Sequence, residues 1–129
     1  MSFKSKGINA ERELVHKFWK ENWACLRIAG SGSSKYPSPD LLVGNNLRRF
    51  AIECKVTKDN KKYFQKENIE QLKFFANVFG ARPLIAIRFK GKDWFFVSLE
   101  DMEDKGKTFF LDDKIAERRG LLFEELISK

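Results

Sequence analysis

Cysteine and histidine are nearly absent from this chain of 129 residues, which has two cysteines, Cys25 and Cys54, and one histidine, His16. With a single imidazole, a Cys/His metal cage is excluded. Both cysteines stand in apolar, strand-like runs, so they read as buried reduced thiols and not as a disulfide framework. Long hydrophobic runs are also missing. No stretch of 18 or more apolar residues could cross a bilayer, and the opening MSFKSKGINAERE has no apolar segment of the secretory kind. No membrane partner is expected, and the expected location is intracellular. Internal repeats and dividing linkers are lacking as well, so the expectation is one domain spanning residues 1–129.

Charge is what the sequence has in quantity. Lysine and arginine total 25 against 18 acidic residues, a net of +7, and 43% of residues are hydrophobic. That balance is globular and favours an anionic partner, of which a phosphate backbone is the usual one through counterion release.

Apolar spacing orders the chain. Ile8, Leu14, Val15, Phe18 and Trp19 recur at helical intervals, predicting a first helix from an Asn9 cap to Asn22 with Glu11 and Glu13 in its first turn. Trp23 to Ile28 predicts a short strand, followed by the exposed loop AGSGSSKYPSP. Leu41–Val43 and Phe50–Lys55 read as a hairpin around Gly44, Asn45 and Asn46. Ile69, Leu72, Phe75, Ala76 and Phe79 form the stripe of a second helix that Gly80 ends, and Phe74 and Val78 widen it beyond one packed face. Arg82–Phe89 and Trp94–Leu99 predict two further strands around Lys90–Lys92. Thr108–Leu111 reads as a short edge strand, DDKIAERRG as solvated, and Leu121–Ile127 as a terminal helix. The class is α/β, a central mixed five-stranded sheet flanked by helices.

One stretch, PSPDLLVGNNLRRFAIECK, places charges where a buried strand should be apolar. Residues two apart on a strand share a face, so Glu53 and Lys55 point the same way. Depending on the hairpin register, Asp40 lies opposite Ala51 or Glu53 and shares that face. Two carboxylates held together raise each other's pKa, a conflict that a divalent cation removes. Oxygen donors alone suit Mg²⁺, with Mn²⁺ as a substitute, and Asp40, Glu53 and the Cys54 carbonyl fit that role. The implied reaction is metal-dependent phosphodiester hydrolysis, with Lys55 orienting water or offsetting charge. The plainer reading is an exposed hairpin whose charges are decoration, since Glu-X-Lys alone is a common tripeptide.

Pro39-Asp40 opening one strand and Glu53-Cys54-Lys55 closing the next, behind a serine-rich loop in a basic protein, resemble the PD-(D/E)xK nuclease superfamily. Within it, the chain from about Gly7 onward resembles the archaeal Holliday junction resolvases. The resemblance implies a restriction-endonuclease-like core. It matches Glu11, in GINAERELV, to an acid that completes the metal site, with Glu13 the nearby fallback. Arg12 and Arg27 are matched to phosphate-contacting arginines, and Ser31 to a serine with a catalytic contribution. Asp40 and Glu53 are matched to the metal-binding acids, and Lys55 to the catalytic lysine. Lys58, Lys61 and Lys62 are candidate phosphate contacts, although a solvated basic turn also explains them. Asn68 or Gln71 stands in for a glutamine that relatives often carry.

The expected activity is Mg²⁺-dependent, structure-selective cleavage of four-way DNA junctions by a homodimer, making paired symmetric nicks in recombination and repair, with the protein near the nucleoid. A nuclease acting on flaps, mismatches or foreign duplex, and a non-catalytic nucleic-acid-binding module, are the alternatives.

Overall fold

The computed structural model describes residues 3–30 and 35–128. Helix α1 (Phe3–Lys20) leads into β1 (Ala24–Arg27), β2 (Leu41–Gly44) and β3 (Arg49–Val56), then β4 (Lys61–Gln65), α2 (Lys66–Phe79), β5 (Arg82–Arg88) and β6 (Phe95–Ser98). A one-turn 3-10 helix, Leu99–Asp101, precedes β7 (Glu103–Asp104), β8 (Thr108–Asp112), α3 (Asp113–Arg119) and α4 (Phe123–Ser128).

The main sheet has five strands in the order β1-β2-β3-β5-β6. Only β3 and β5 run parallel, joined by the crossover that contains α2; the other pairs are antiparallel, so the sheet is mixed as expected. Alternation along β3 sends Phe50, Ile52 and Cys54 to one face and Ala51 to the other, creating two cores. On the first face, Ala10, Leu14 and Phe18 of α1 pack with Trp23, Phe123 and Leu126, and the Phe18 ring meets Phe123 edge-on at 5.0 Å. On the second, Ile69, Leu72 and Ala76 of α2 pack with Phe64, Leu111, Ile115 and Ala116. With fourteen or more buried members each, both cores supply the apolar burial that dominates folding.

Several expectations need correction. α1 starts at Phe3, so Asn9 lies two turns inside the helix and no acid occupies its first turn. The dipole explanation for Glu11 and Glu13 therefore fails, because Gly7 does not break the helix. The basic run after β3 turns at the exposed Lys58 and becomes a strand only from Lys61: β4 pairs with β8 in a second sheet of order β4-β8-β7, which puts β8 at its centre and not at an edge. DDKIAERRG is largely helix α3, whose Ile115 and Ala116 are buried and whose first turn is capped by Asp112 Oδ1 accepting the Ile115 N–H at 2.8 Å. Phe79 ends α2 exposed, stacked on Phe75 at 5.7 Å between centroids, instead of joining the buried stripe. Gly80 does close α2, at φ 88°, a left-handed conformation that favours glycine.

Candidate active site

The β2–β3 turn is set by Asn45, whose Oδ1 accepts the N–H groups of Leu47 and Arg48, both at 2.8 Å. This four-residue turn pairs Gly44 with Arg49 and Leu41 with Ile52, where the ladder ends. β3 runs on from Glu53 to Val56 with β5 as its paired neighbour. A notch therefore opens where β2 stops, and Asp40 stands at its lip.

Three bonds hold Asp40 there. Its N–H donates to the Ile52 carbonyl at 3.0 Å, its carbonyl accepts the Ile28 N–H at 2.9 Å, and its Oδ2 accepts the Cys54 N–H at 2.8 Å. Of the two registers open from sequence, the pairs seen carry Asp40 toward Glu53, close enough for its charge to act on the Glu53 carboxyl. Lys55 Nζ lies 3.6 Å from Glu53 Oε2. Burial first, and the neighbouring Asp40 charge second, push the Glu53 carboxyl up to about 7, against the pull of Lys55. Cys54 belongs to the site through its backbone; its thiol turns into the core, where burial raises its pKa well above the ordinary value.

Glu11 reaches the same region from α1. Its Oε1 accepts Arg27 Nε at 2.9 Å, and the two side chains are only 16% and 21% exposed. Burial, then Asp40, raises the Glu11 pKa, with Arg27 and Lys55 opposing. Among the described residues, no three His, Cys, Asp or Glu side chains form a ready-made cage. The donor set is the Asp40–Glu53 pair, with Glu11 alongside in its ion pair.

Arg12, Lys58 and Lys61 are exposed, and Lys62 is partly so. Ser31 lies outside the described residues. Asn68 and Gln71 are exposed on α2. Glu13 has a different engagement from Glu11: its Oε2 accepts both Arg88 Nη1 at 2.9 Å and the Trp94 indole N–H at 3.0 Å, and the Arg88 guanidinium lies 4.9 Å from the Trp94 ring. Arg88, which pairs with Val56 just beyond Lys55, was not singled out from sequence. The available signal was a cation ending the otherwise apolar run PLIAIR.

Two half-buried acids, a lysine and a nearby arginine at the notch between two strands can bind a divalent cation and a phosphate. Residues 2–129 match the family described as archaeal Holliday junction resolvase (Hjc). The crossover junction endodeoxyribonuclease Hjc of Archaeoglobus fulgidus is 38% identical over 129 residues, covering 95% of each chain. The Hjc of Methanocaldococcus jannaschii is 36% identical over 110 residues, 85% of this chain and 78% of its own. The solved structure of the Archaeoglobus fulgidus Hjc, a Holliday junction resolvase, superposes with a TM-score of 0.87 at 35% identity over 93% of this chain and 97% of that one.

Proposed function

The chain belongs to the archaeal Holliday junction resolvase family, and from that premise we propose that it is a structure-selective endonuclease that cuts four-way DNA junctions at the notch between β2 and β3. The observation that carries the reading is the shared face of Asp40, Glu53 and Lys55 at the end of the β2–β3 ladder.

The site fits a divalent cation. Its donors are oxygen atoms, and the Glu53 pKa, raised first by burial and then by the adjacent Asp40 charge, marks a carboxylate whose charged form a cation would stabilise. Asp40 and Glu53 would hold the ion, with the Cys54 carbonyl and Glu11 as further ligands. Mg²⁺, or Mn²⁺ in its place, would acidify water and neutralise charge gathering on the phosphate oxygens. Lys55, 3.6 Å from Glu53, is placed to orient the attacking water and to offset that same charge. Arg12, exposed on α1, and Arg27, fixed by Glu11, would position the phosphate backbone, with Lys58, Lys61 and Lys62 extending the track. The Cys54 N–H and Ile52 carbonyl fix the Asp40 backbone and carboxylate, so the metal-binding face is built before substrate arrives.

A four-way junction has two-fold symmetry, and two symmetric nicks call for two sites related by the same axis. A homodimer supplies them. The outer face of α2 supports that assembly, with Phe74 61% and Val78 71% exposed beside a groove lined by Glu70, Lys73, Asn77, Ala81 and Pro83. Glu70 and Lys73 on one copy would meet their opposites on the other across a two-fold.

The test is incubation of purified protein with a labelled immobile junction and with matched linear duplex, in Mg²⁺ or EDTA, beside Glu53→Gln. Paired nicks on the junction alone, lost in EDTA and in the variant, are expected. Binding without cleavage in any divalent metal would overturn the enzymatic reading, and equal cutting of duplex would overturn junction selectivity.

A further inference from the structure

The small sheet carries an aromatic surface that the cleavage site does not use. Along β4, Phe64 turns into the core while Lys61, Tyr63 and Gln65 are exposed. Register places Phe110 of β8 directly opposite Tyr63, so the two rings share the outer face, tilted against each other with centroids 5.1 Å apart. Tyr63 is 51% exposed. The Lys105 ammonium lies 5.5 Å from the Phe110 ring centroid.

Charge on this sheet is graded. The segment from Thr57 to Lys66, which links the end of β3 to the start of α2, holds Lys58, Lys61, Lys62 and Lys66 against the single acid Asp59. On the far strand β7, Glu103 and Asp104 pair with Lys105 and Lys66 at 3.7 and 3.4 Å. Among the described residues, no ion pair engages Lys58, Lys61 or Lys62. Free cations thus gather at and just before β4, at the sheet edge, next to the half-exposed Tyr63 ring that leans on the partly buried Phe110, and one short link away from Lys55.

We propose that Tyr63, backed by Phe110, forms a stacking platform for an unstacked base at the branch point of DNA, with Lys58 and Lys61 holding the adjoining backbone. Lysines beside an exposed aromatic face are what binding of unpaired nucleic acid requires, and stacking tolerates any base because every base has a π-face. Continuous duplex offers no free base face, so the platform would discriminate branched from linear DNA without reading sequence. This inference rests on the junction-nuclease reading and adds to it a physical source of structure selectivity.

The experiment uses full-length protein in EDTA, so that binding is read without cleavage. The probe is an immobile four-way junction carrying 2-aminopurine at the branch point or in the middle of one arm. Wild-type protein should change fluorescence at the branch point and not in the arm. Tyr63→Ala should weaken junction binding about tenfold while duplex binding holds, and Tyr63→Trp should restore it. No branch-point response from wild type, or an unchanged junction affinity in Tyr63→Ala, overturns the platform. Loss of self-association in Tyr63→Ala overturns it too, assigning the face to another copy of the chain. Absence of junction binding by the wild type would instead sink the function proposed above, and the platform with it, so the two failures are distinguishable.

Discussion

Glu53 sits half-buried between a like charge and an opposite one, and its protonation follows from which is closer to winning. Burial and Asp40 raise its pKa from 4.5 to about 7, and Lys55 does not offset them. Because the folded value lies above the unfolded one, the stabilising contribution is complete below about pH 4.5 and is lost as pH rises through about 7. Metal-free Glu53→Gln should therefore exceed the wild type in stability at pH 8 by roughly 1–3 kcal/mol, a range discounted for partial exposure, and gain nothing near pH 4.5. Thermal melts in EDTA at the two pH values read this directly; a variant no more stable at pH 8 would refute it. Adding Mg²⁺ at pH 8 should raise the wild-type Tm and leave the variant nearly unmoved. The two arginines assigned to phosphate separate by a similar argument. Removing Arg27 leaves the mostly buried Glu11 charge without its partner and should cost about 1–3 kcal/mol, whereas Arg12→Ala, at an exposed position, should stay within about 0.5 kcal/mol. Denaturant titration of both variants distinguishes them before any DNA is added.

Elements differ in how plainly the sequence announces them. The hairpin carrying the site was legible because Asn45 sits between two apolar runs and its side chain makes the turn. α2 was legible because Ile69, Leu72 and Ala76 keep a helical interval and Gly80 stops it. β4 and α3 were not, since each buries so little that no period emerges: Phe64 in one, Ile115 and Ala116 in the other. Of the site, Glu53 and Lys55 could be placed on one face by alternation alone, and Asp40 beside them only through the hairpin register, but the Glu11–Arg27 pair joins residues 16 apart through tertiary packing that no local pattern encodes. Arg48 shows the same kind of hidden tie. Its guanidinium lies 5.0 Å from the Trp23 ring and 5.5 Å from Phe50, and its Nη2 donates to the Leu126 and Ile127 carbonyls at 2.9 and 3.2 Å. These carbonyls lie in the last turn of α4, so Arg48 fastens the chain's last helix to the hairpin. Arg48→Ala should cost about 2 kcal/mol, and Arg48→Lys should recover little, because an ammonium neither stacks on both rings nor forks to two carbonyls. Hydrogen exchange should then accelerate in α4 while the β3 amides stay protected; equal acceleration of both would show that the tie is not local.

At the scale of the whole molecule, charge and the α2 face divide the work of recognition. A net charge of +7 would favour any nucleic acid, with binding that weakens steeply with salt, so it cannot by itself select a junction. In the proposed dimer, symmetric cutting would depend on two notches at a fixed separation, and hence on the face that carries Phe74 and Val78. An exposed pair of large apolar side chains on one helix is costly in water and favours burial against a symmetric copy. Phe74→Glu combined with Val78→Glu places like charges opposite each other across the two-fold, beside Glu70, without touching the buried stripe of Ile69, Leu72 and Ala76. The doubly substituted chain should fold with a Tm close to that of the wild type and sediment as a monomer. On a supercoiled plasmid that extrudes a cruciform, the wild type should make two nicks within one encounter and release linear DNA. The monomer, with its notch intact, should make one nick. That nick relaxes the supercoiling that sustains the cruciform, so open circles should accumulate and linear product should nearly vanish. Linear DNA at the wild-type proportion from a proven monomer would break the link between the α2 face and paired cleavage, and a variant that stays dimeric would place the two-fold elsewhere on the molecule.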